Sequence, residues 1–488
     1  MWIDDNDAMK TIDEQTLARL AESFSRRAAL KSLASGFGYL AFAALANEAA
    51  AKGASTLASR ASHFPARAKR VIFLCMRGGP SHVDLFDHKP ELIKRAGQPA
   101  KLGRDQYGAR LLGPTSPFAQ HGESALWISD LYPNLARHAD DLCVINSMHT
   151  DLPNHAQAFG QMHTGSFQFV RPSLGAWTLY GLGTENTNLP GFITLNPPAD
   201  FGGSRNYGSS FLPAICQGTK IGGSQLPDLY AALLGREQEP GPPMKHIGND
   251  QVSRPLQRAQ LDLIRGLNQH KLKADQFHPE IEGAIESFEL AFRMQDEVPN
   301  VLDLRSEPES IRKLYGIGGG KDQFARQCLL ARRLAEAGVR FIEITPPANW
   351  DHHYLLKDSL AKTCGMTDQP IAALLTDLKQ RDLLKDTLVI WAGEFGRTPY
   401  AQGGDGRDHN NKGYSLWMAG GGVKGGMTYG ATDEFGHKAV IDPVHIHDWH
   451  ATILHLLGLD HKRLTFNYGG RNFRLTEVYG NVVNGILT

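Results

Sequence analysis

The chain reads as an α/β protein with a mostly parallel central sheet and helices on both faces. Two observations predict this. Short, continuous apolar runs of strand length alternate with longer segments of helical periodicity, the pattern of a sheet buried on both sides. Three of those runs, at residues 71–76, 339–344 and 387–391, stop abruptly at polar loops rich in glycine, histidine or carboxylates, which is how such sheets present their sites at the strand carboxyl ends.

Taken in order, residues 25–31 read SRRAALK, a modest apolar run follows at 33–45, and Ala49-Ala50-Ala51 precedes Lys52. An arginine pair, a short h-region and an Ala-x-Ala site predict a twin-arginine signal peptide over residues 1–51, too short in its apolar part to span a bilayer. Residues 52–488 are expected to form one α/β domain. After the strand at 71–76 come a helix-like stretch at 131–139, a strand at 142–145, helices at 156–165 and 174–182, and a strand at 192–195. Gly, Pro, Ser and Asn then dominate a loop-rich insertion at about 200–255. A helical segment with charged faces spans about 256–337. The strand at 339–344, a helix at 371–384 and the strand at 387–391 complete the alternation. The glycine-rich tract 420–426 lacks the Gly-Lys-Ser/Thr ending of a phosphate loop and is expected to be a hairpin.

Charge and cysteine usage exclude several classes. Basic and acidic residues balance at 51 each, which argues against partners recognised by charge alone, so no nucleic acid is expected. Cys75, Cys143, Cys216, Cys328 and Cys364 are dispersed without a CxxC pair and read as small buried hydrophobes rather than a disulfide or redox framework. Histidines, by contrast, cluster with carboxylates.

The first cluster, 77–87 (RGGPSHVDLFD), follows the first strand and places Arg77, Ser81, His82 and Asp84 in a loop whose glycines let backbone approach a ligand. In the second, His149-Thr150-Asp151 precedes Asn154-His155, and His155 falls at a helix N-terminus, where exposed N–H groups favour an anion. His163, two turns on, reads as a packing or capping residue. The third is Asp351-His352-His353. The fourth is Glu394 with Arg397, followed by Arg407-Asp408-His409. Nitrogen and oxygen ligands gathered from separate strand ends are what a zinc or manganese hydrolytic site requires. In the last group, His447 and Asp448 read as helix caps and His455 as a core or surface residue.

At these residues the chain resembles the alkaline phosphatase superfamily, with its sulfatases and phosphodiesterases, and within it the exported group called domain-of-unknown-function family 1501. The likeness runs from residue 71 to about 461. Its most specific parts are GGPSHVDLFDHKP (78–90), MHTG (162–165), WDHH (350–353), TLVIWAGEFGRTP (387–399) and GRDH (406–409). The resemblance implies an alkaline-phosphatase-like fold and one or two divalent ions. Asp351 and His353 match ligands of one metal, His409 resembles the late histidine of that site, and Glu394 stands where an Asp-His pair has its Asp, with Phe395 at the His position. Arg77 stands where the superfamily has a metal-binding Asp, with His82 and Asp84 close behind. The nucleophile position, usually Ser, Thr or Cys, falls near His155.

The expectation is therefore an exported, metal-dependent hydrolase of phosphate or sulfate esters. His82, Asp84, Asp351, His353, Glu394 and His409 are the candidate ligands of zinc, or else of manganese, calcium or magnesium. Arg77 or Arg397 would stabilise the anionic transition state. The attacker would be water, Thr150 or a transiently phosphorylated His155, with water preferred because no hydroxyl occupies the nucleophile position. The competing expectation is an exported, non-catalytic binding or structural protein that keeps the fold. The expected partners are the ester substrate and, during export, the twin-arginine machinery. No stable membrane span is expected after cleavage, and the location is periplasmic or extracellular. Because that route carries folded proteins, metal loading in the cytoplasm is expected.

Overall fold

The computed structural model describes residues 58–102, 108–222, 252–275, 279–320 and 322–488. Residues 1–51, expected to be a signal peptide, and most of the expected loop-rich insertion lie outside the described residues. Residues 56–488 belong to one compact unit.

The apolar runs become strands β1 (Arg70–Cys75), β2 (Leu142–His149), β3 (Phe192–Leu195), β5 (Phe341–Ile344) and β6 (Thr387–Ala392), and a short strand the sequence did not predict, β4 (Thr219–Ile221), forms within the expected loop-rich insertion. Every residue of β1, β3, β5 and β6 is buried, so both faces of this part of the sheet are covered, as continuous apolar runs require. The sequence missed a hairpin, β7 (Gly396–Gln402) and β8 (Gly406–Asn410), and then β9 (Tyr414–Ala419), β10 (Met427–Tyr429) and β11 (Val444–His445). The central sheet runs β10-β2-β9-β6-β1-β5-β3-β4, with β11 also pairing with β2. Its pairs are parallel except for β9, which runs antiparallel to both β2 and β6.

Helices α1 (His155–Thr164), α2 (Leu174–Leu182), α3 (Arg254–Asp275), α4 (Pro279–Leu302), α5 (Gln323–Glu336), α6 (Leu356–Gln380) and α7 (Ile446–Leu456) complete the layers. Three expectations change here. α6 begins fifteen residues before the expected start because it continues through Pro370, where a missing N–H and ring crowding would ordinarily end a helix. Leu360, Cys364, Ile371, Leu374, Leu375 and Leu378 are all buried, and this apolar stripe on both sides of the proline holds the helix together. The tract 420–426 is not a hairpin. Trp417 of β9 and Thr428 of β10 both register with Val144 of β2, so β9 and β10 flank β2 and the glycines carry the chain across its end. The helix at 446 is capped by His445 and Asp448, in a reciprocal box, rather than by His447. All five cysteines are buried and free. Among the described residues no helix is long and apolar enough to cross a membrane.

Candidate functional site

β1, β5 and β6 lie side by side, and their carboxyl ends deliver three loops to one place. Gly78, just past β1, has φ +102°, and a Cβ there would fall 2.1 Å from Asn349 Oδ1 and 2.7 Å from Asp351 N. Only glycine therefore lets this loop close on the loop after β5. That second loop carries Asp351 and His353, and Glu394 lies two residues beyond β6. The hairpin sets His409 of β8 opposite Arg397 of β7. α1 starts at His155 because the Asn154 side chain accepts the Gln157 N–H at 3.3 Å and caps it.

His155, Asp351, His353 and His409 meet, with one ligand atom of each within 4.8 Å of the others. Asp351 Oδ1 lies 3.1 Å from His155 Nε2, 2.8 Å from His353 Nε2 and 3.4 Å from His409 Nε2. The two latter nitrogens are 2.9 Å apart. Each imidazole has an acceptor behind it: Glu394 Oε1 at 2.6 Å from His155 Nδ1, Gln402 Oε1 beside His353 Nδ1, and the Pro153 carbonyl at 2.7 Å from His409 Nδ1. If each Nδ1–H donates to its acceptor, all three Nε2 lone pairs face Asp351 Oδ1. Three lone pairs aimed at a carboxylate repel unless a cation or a proton lies among them. His155 Nε2 is buried and, despite its proximity to Asp351, makes no hydrogen bond of normal geometry. The separations resemble those of atoms sharing one tetrahedral ion, which bonds of about 2.0–2.1 Å place roughly 3.3 Å apart. The residues thus fit a divalent metal, and a histidine-rich N/O set suits zinc first and manganese after it.

Two charged groups hold this arrangement. Glu394 is fully buried and accepts the Gly78 N–H with both oxygens, at 3.0 and 3.1 Å, while orienting His155 from behind. Arg397, also fully buried, donates to Gly79 O at 2.9 Å, to Arg407 O at 3.2 Å, to Gly78 O, and to Asp351 Oδ1 at 2.5 Å. Burial disfavours ionised Asp351, but the adjacent His155 and His409 imidazoles and the Arg397 charge outweigh it and hold its pKa well below the usual carboxylate range. Burial likewise opposes protonation of His155, yet Asp351 and Glu394 raise its pKa to about 9 when no metal is present. A metal would displace that proton. Phe201 stacks on His155 at 4.8 Å, and Phe395 lies 4.8 Å from His155 and 4.7 Å from His409, giving the cluster an apolar wall.

Of the expected ligands, Asp351, His353 and His409 come together. His155, expected as an attacker, joins them as a fourth donor. Glu394 supports the cluster rather than entering it. His82 and Asp84 do not join: His82 Nε2 is 2.7 Å from the Gly436 carbonyl, and fully buried Asp84 pairs with Arg407 Nε at 2.7 Å and accepts the Thr115 N–H at 2.8 Å. The turn after Pro80 carries both away from the strand end. Thr150 is not positioned as a nucleophile, since its hydroxyl donates to Gln161 Oε1 at 2.8 Å. Arg77 pairs with Asp200 at 2.7 Å, and Arg397 is spent on carbonyls and Asp351. Sequence reasoning missed Gln402, Pro153 and Phe201, whose roles arise from hairpin register and loop approach and leave no local signal.

A family model described as "Protein of unknown function (DUF1501)" matches residues 68–487. The chain belongs to this family. A comparison with curated protein sequences gave no match. Among solved structures, this DUF1501 chain is similar to the lipoteichoic acid synthase LtaP from Listeria monocytogenes, at TM-score 0.35 and 10% identity, over 86% of this chain and 78% of that one. It is similar to the PsFucS1 sulfatase from Pseudoalteromonas sp., at TM-score 0.31 and 13% identity, over 80% and 68%. A protein in the alkaline phosphatase superfamily from Vibrio parahaemolyticus is similar at TM-score 0.33 and 10% identity, over 84% and 71%.

Proposed function

We propose that this DUF1501 protein is an exported hydrolase of phosphate or sulfate esters that works with a divalent metal ion held by His155, Asp351, His353 and His409. One observation carries the reading: three imidazoles, each backed at Nδ1 by a separate acceptor, turn Nε2 toward one carboxylate oxygen at the carboxyl ends of parallel strands. An ion bound there supplies a Lewis acid to an ester oxygen and to an attacking water. The chain's own residues fix the donors. Glu394 orients His155, Gln402 orients His353, the Pro153 carbonyl orients His409, and Arg397 holds Asp351 ionised. With both His155 nitrogens committed and the Thr150 hydroxyl donated to Gln161, water is the attacker. Arg77 is the cation we assign to the anionic substrate, because its partner Asp200 is exposed and a surface ion pair contributes little.

Metal analysis of protein purified without chelator, followed by a screen of aryl phosphates and sulfates, tests this reading. Asp351→Asn and His409→Asn should each lose metal and hydrolysis, and His455→Ala should lose neither. Hydrolysis that survives Asp351→Asn would sink the assignment of the activity to this metal site. A full metal complement with no turnover would favour the second reading, an exported binding protein, which Phe395 supports by filling with an apolar ring the side where a second donor set would need nitrogen. Export is proposed from residues 25–51. Replacing Arg26 and Arg27 with lysine should leave the precursor in the cytoplasm, and unchanged export would remove that proposal.

A further inference from the structure

A second group of potential ligands lies beneath α1, inside the core. Cys75 near the end of β1, Glu343 on β5 and His163 on α1 are all buried, at 0%, 1% and 3% exposure, and one ligand atom of each lies within 4.8 Å of the others. Cys75 Sγ is 3.8 Å from His163 Nε2, and that nitrogen is 3.3 Å from Glu343 Oε1. His163 Nδ1 lies 2.8 Å from the Phe159 carbonyl one turn back, so its N–H is spent there and Nε2 turns toward the thiol and the carboxylate.

Register shows that this is one patch of a single sheet face. Glu343 pairs with Phe73 of β1 and with Thr194 of β3, and Cys75 and Thr345 lie two residues beyond Phe73 and Glu343. Side chains two apart on a strand share a face. The Thr194 and Thr345 hydroxyls, at 0% and 1% exposure, have no hydrogen bond of normal geometry, although Thr345 adjoins the thiol. A bare His163–Glu343 ion pair would account for two of these groups. It gives no reason for the thiol, 3.8 Å from the same imidazole nitrogen.

We propose that Cys75, His163 and Glu343 bind a second, structural cation of the zinc class. Thiolate plus carboxylate cancels a double positive charge, so the loaded site is neutral and tolerates burial, and the thiol proton leaves as the ion enters. Sulfur and imidazole select zinc or cobalt over magnesium or calcium. Tetrahedral bonds of about 2.3 Å to sulfur and 2.1 Å to nitrogen or oxygen separate S and N by roughly 3.6 Å and N and O by roughly 3.4 Å, close to the spacing seen here. Thr345 is the group available to support a fourth position. This site is distinct from the strand-end cluster: His163 follows His155 by eight residues of helix, about 12 Å of rise, against the roughly 4 Å of a paired-metal site. The ion would tie α1 to β1 and β5.

The test uses full-length protein carrying Asp351→Asn and His409→Asn, which removes the strand-end site and makes the result independent of the proposed hydrolysis. Loaded with cobalt(II), it should retain about one equivalent and show a thiolate-to-cobalt charge-transfer band, and adding Cys75→Ser should abolish the band. X-ray absorption of the zinc-loaded double variant should give a sulfur ligand at about 2.3 Å, a readout that does not depend on Cys75→Ser folding. Less than a tenth of an equivalent of metal, or a bound ion without a sulfur ligand, would overturn the proposal.

Discussion

Asp84 and Asp351 both follow a strand end in a histidine-bearing loop, and the structure gives them opposite jobs. Asp84→Asn tests this. Asp84 and Arg407 are both fully buried, and asparagine keeps an oxygen for the Thr115 N–H while removing the charge that faces Arg407. Removing one partner of a buried ion pair costs about 3–5 kcal/mol because the remaining charge is uncompensated. Arg407 also donates to the carbonyls of Thr398 at 3.0 Å, Leu112 at 3.0 Å and Gly113 at 2.9 Å. Those bonds survive and place the expected loss near the lower end, about 3 kcal/mol, or roughly two decades in the unfolding equilibrium. The assay is urea unfolding of metal-depleted protein, with reversibility checked, beside metal titration of folded protein. Stability should fall while metal stoichiometry and affinity stay at wild-type values. Loss of metal with unchanged apo stability would make Asp84 a ligand and refute the assignment.

Three further outcomes are expected. Gln402→Leu removes the acceptor behind His353 and should weaken metal binding about 10- to 100-fold by competition titration; unchanged affinity would show that Gln402 does not orient the ring. Gly78→Ala introduces a Cβ against Asn349 and the Asp351 backbone at positive φ, so metal affinity should drop with it, and wild-type affinity would contradict the close approach of the two loops. Burial, with smaller help from His447, lowers the His450 pKa from 6.5 to about 3, while Nε2 bonds the Met162 carbonyl at 2.7 Å. A lowered folded-state pKa means that the unfolded chain takes the proton first. This contribution to stability is complete above about pH 6.5 and is lost progressively as pH falls toward 3. His450→Leu should flatten the wild-type decline over that window in pH-dependent unfolding, and an unchanged slope would assign the decline to other groups.

The sequence located β1, β2, β3, β5 and β6 within a few residues because an apolar run buried on both faces carries its signal locally. It failed at β4, and at β7 to β11, where strands are short or mixed in polarity and form against partners distant in the chain. It failed at the start of α6, where local rules place a stop at Pro370 and packing on the core overrides them.

The chemistry divides in the same way. Residue type and position after a strand by themselves singled out Asp351, His353, Glu394 and His409, because ligands in such sheets come from strand ends. They did not separate those residues from His82 and Asp84, which have the same types in an equivalent loop. Asp84 became scaffold through Arg407, 323 residues away, and Asp351 became the hub of the cluster through His353 of its own loop and two imidazoles, His155 and His409, from two other segments. Glu343 and Cys75 read as strand residues like any others until α1 set His163 against them. Local sequence states which donors exist, and tertiary structure decides which of their lone pairs face a common point.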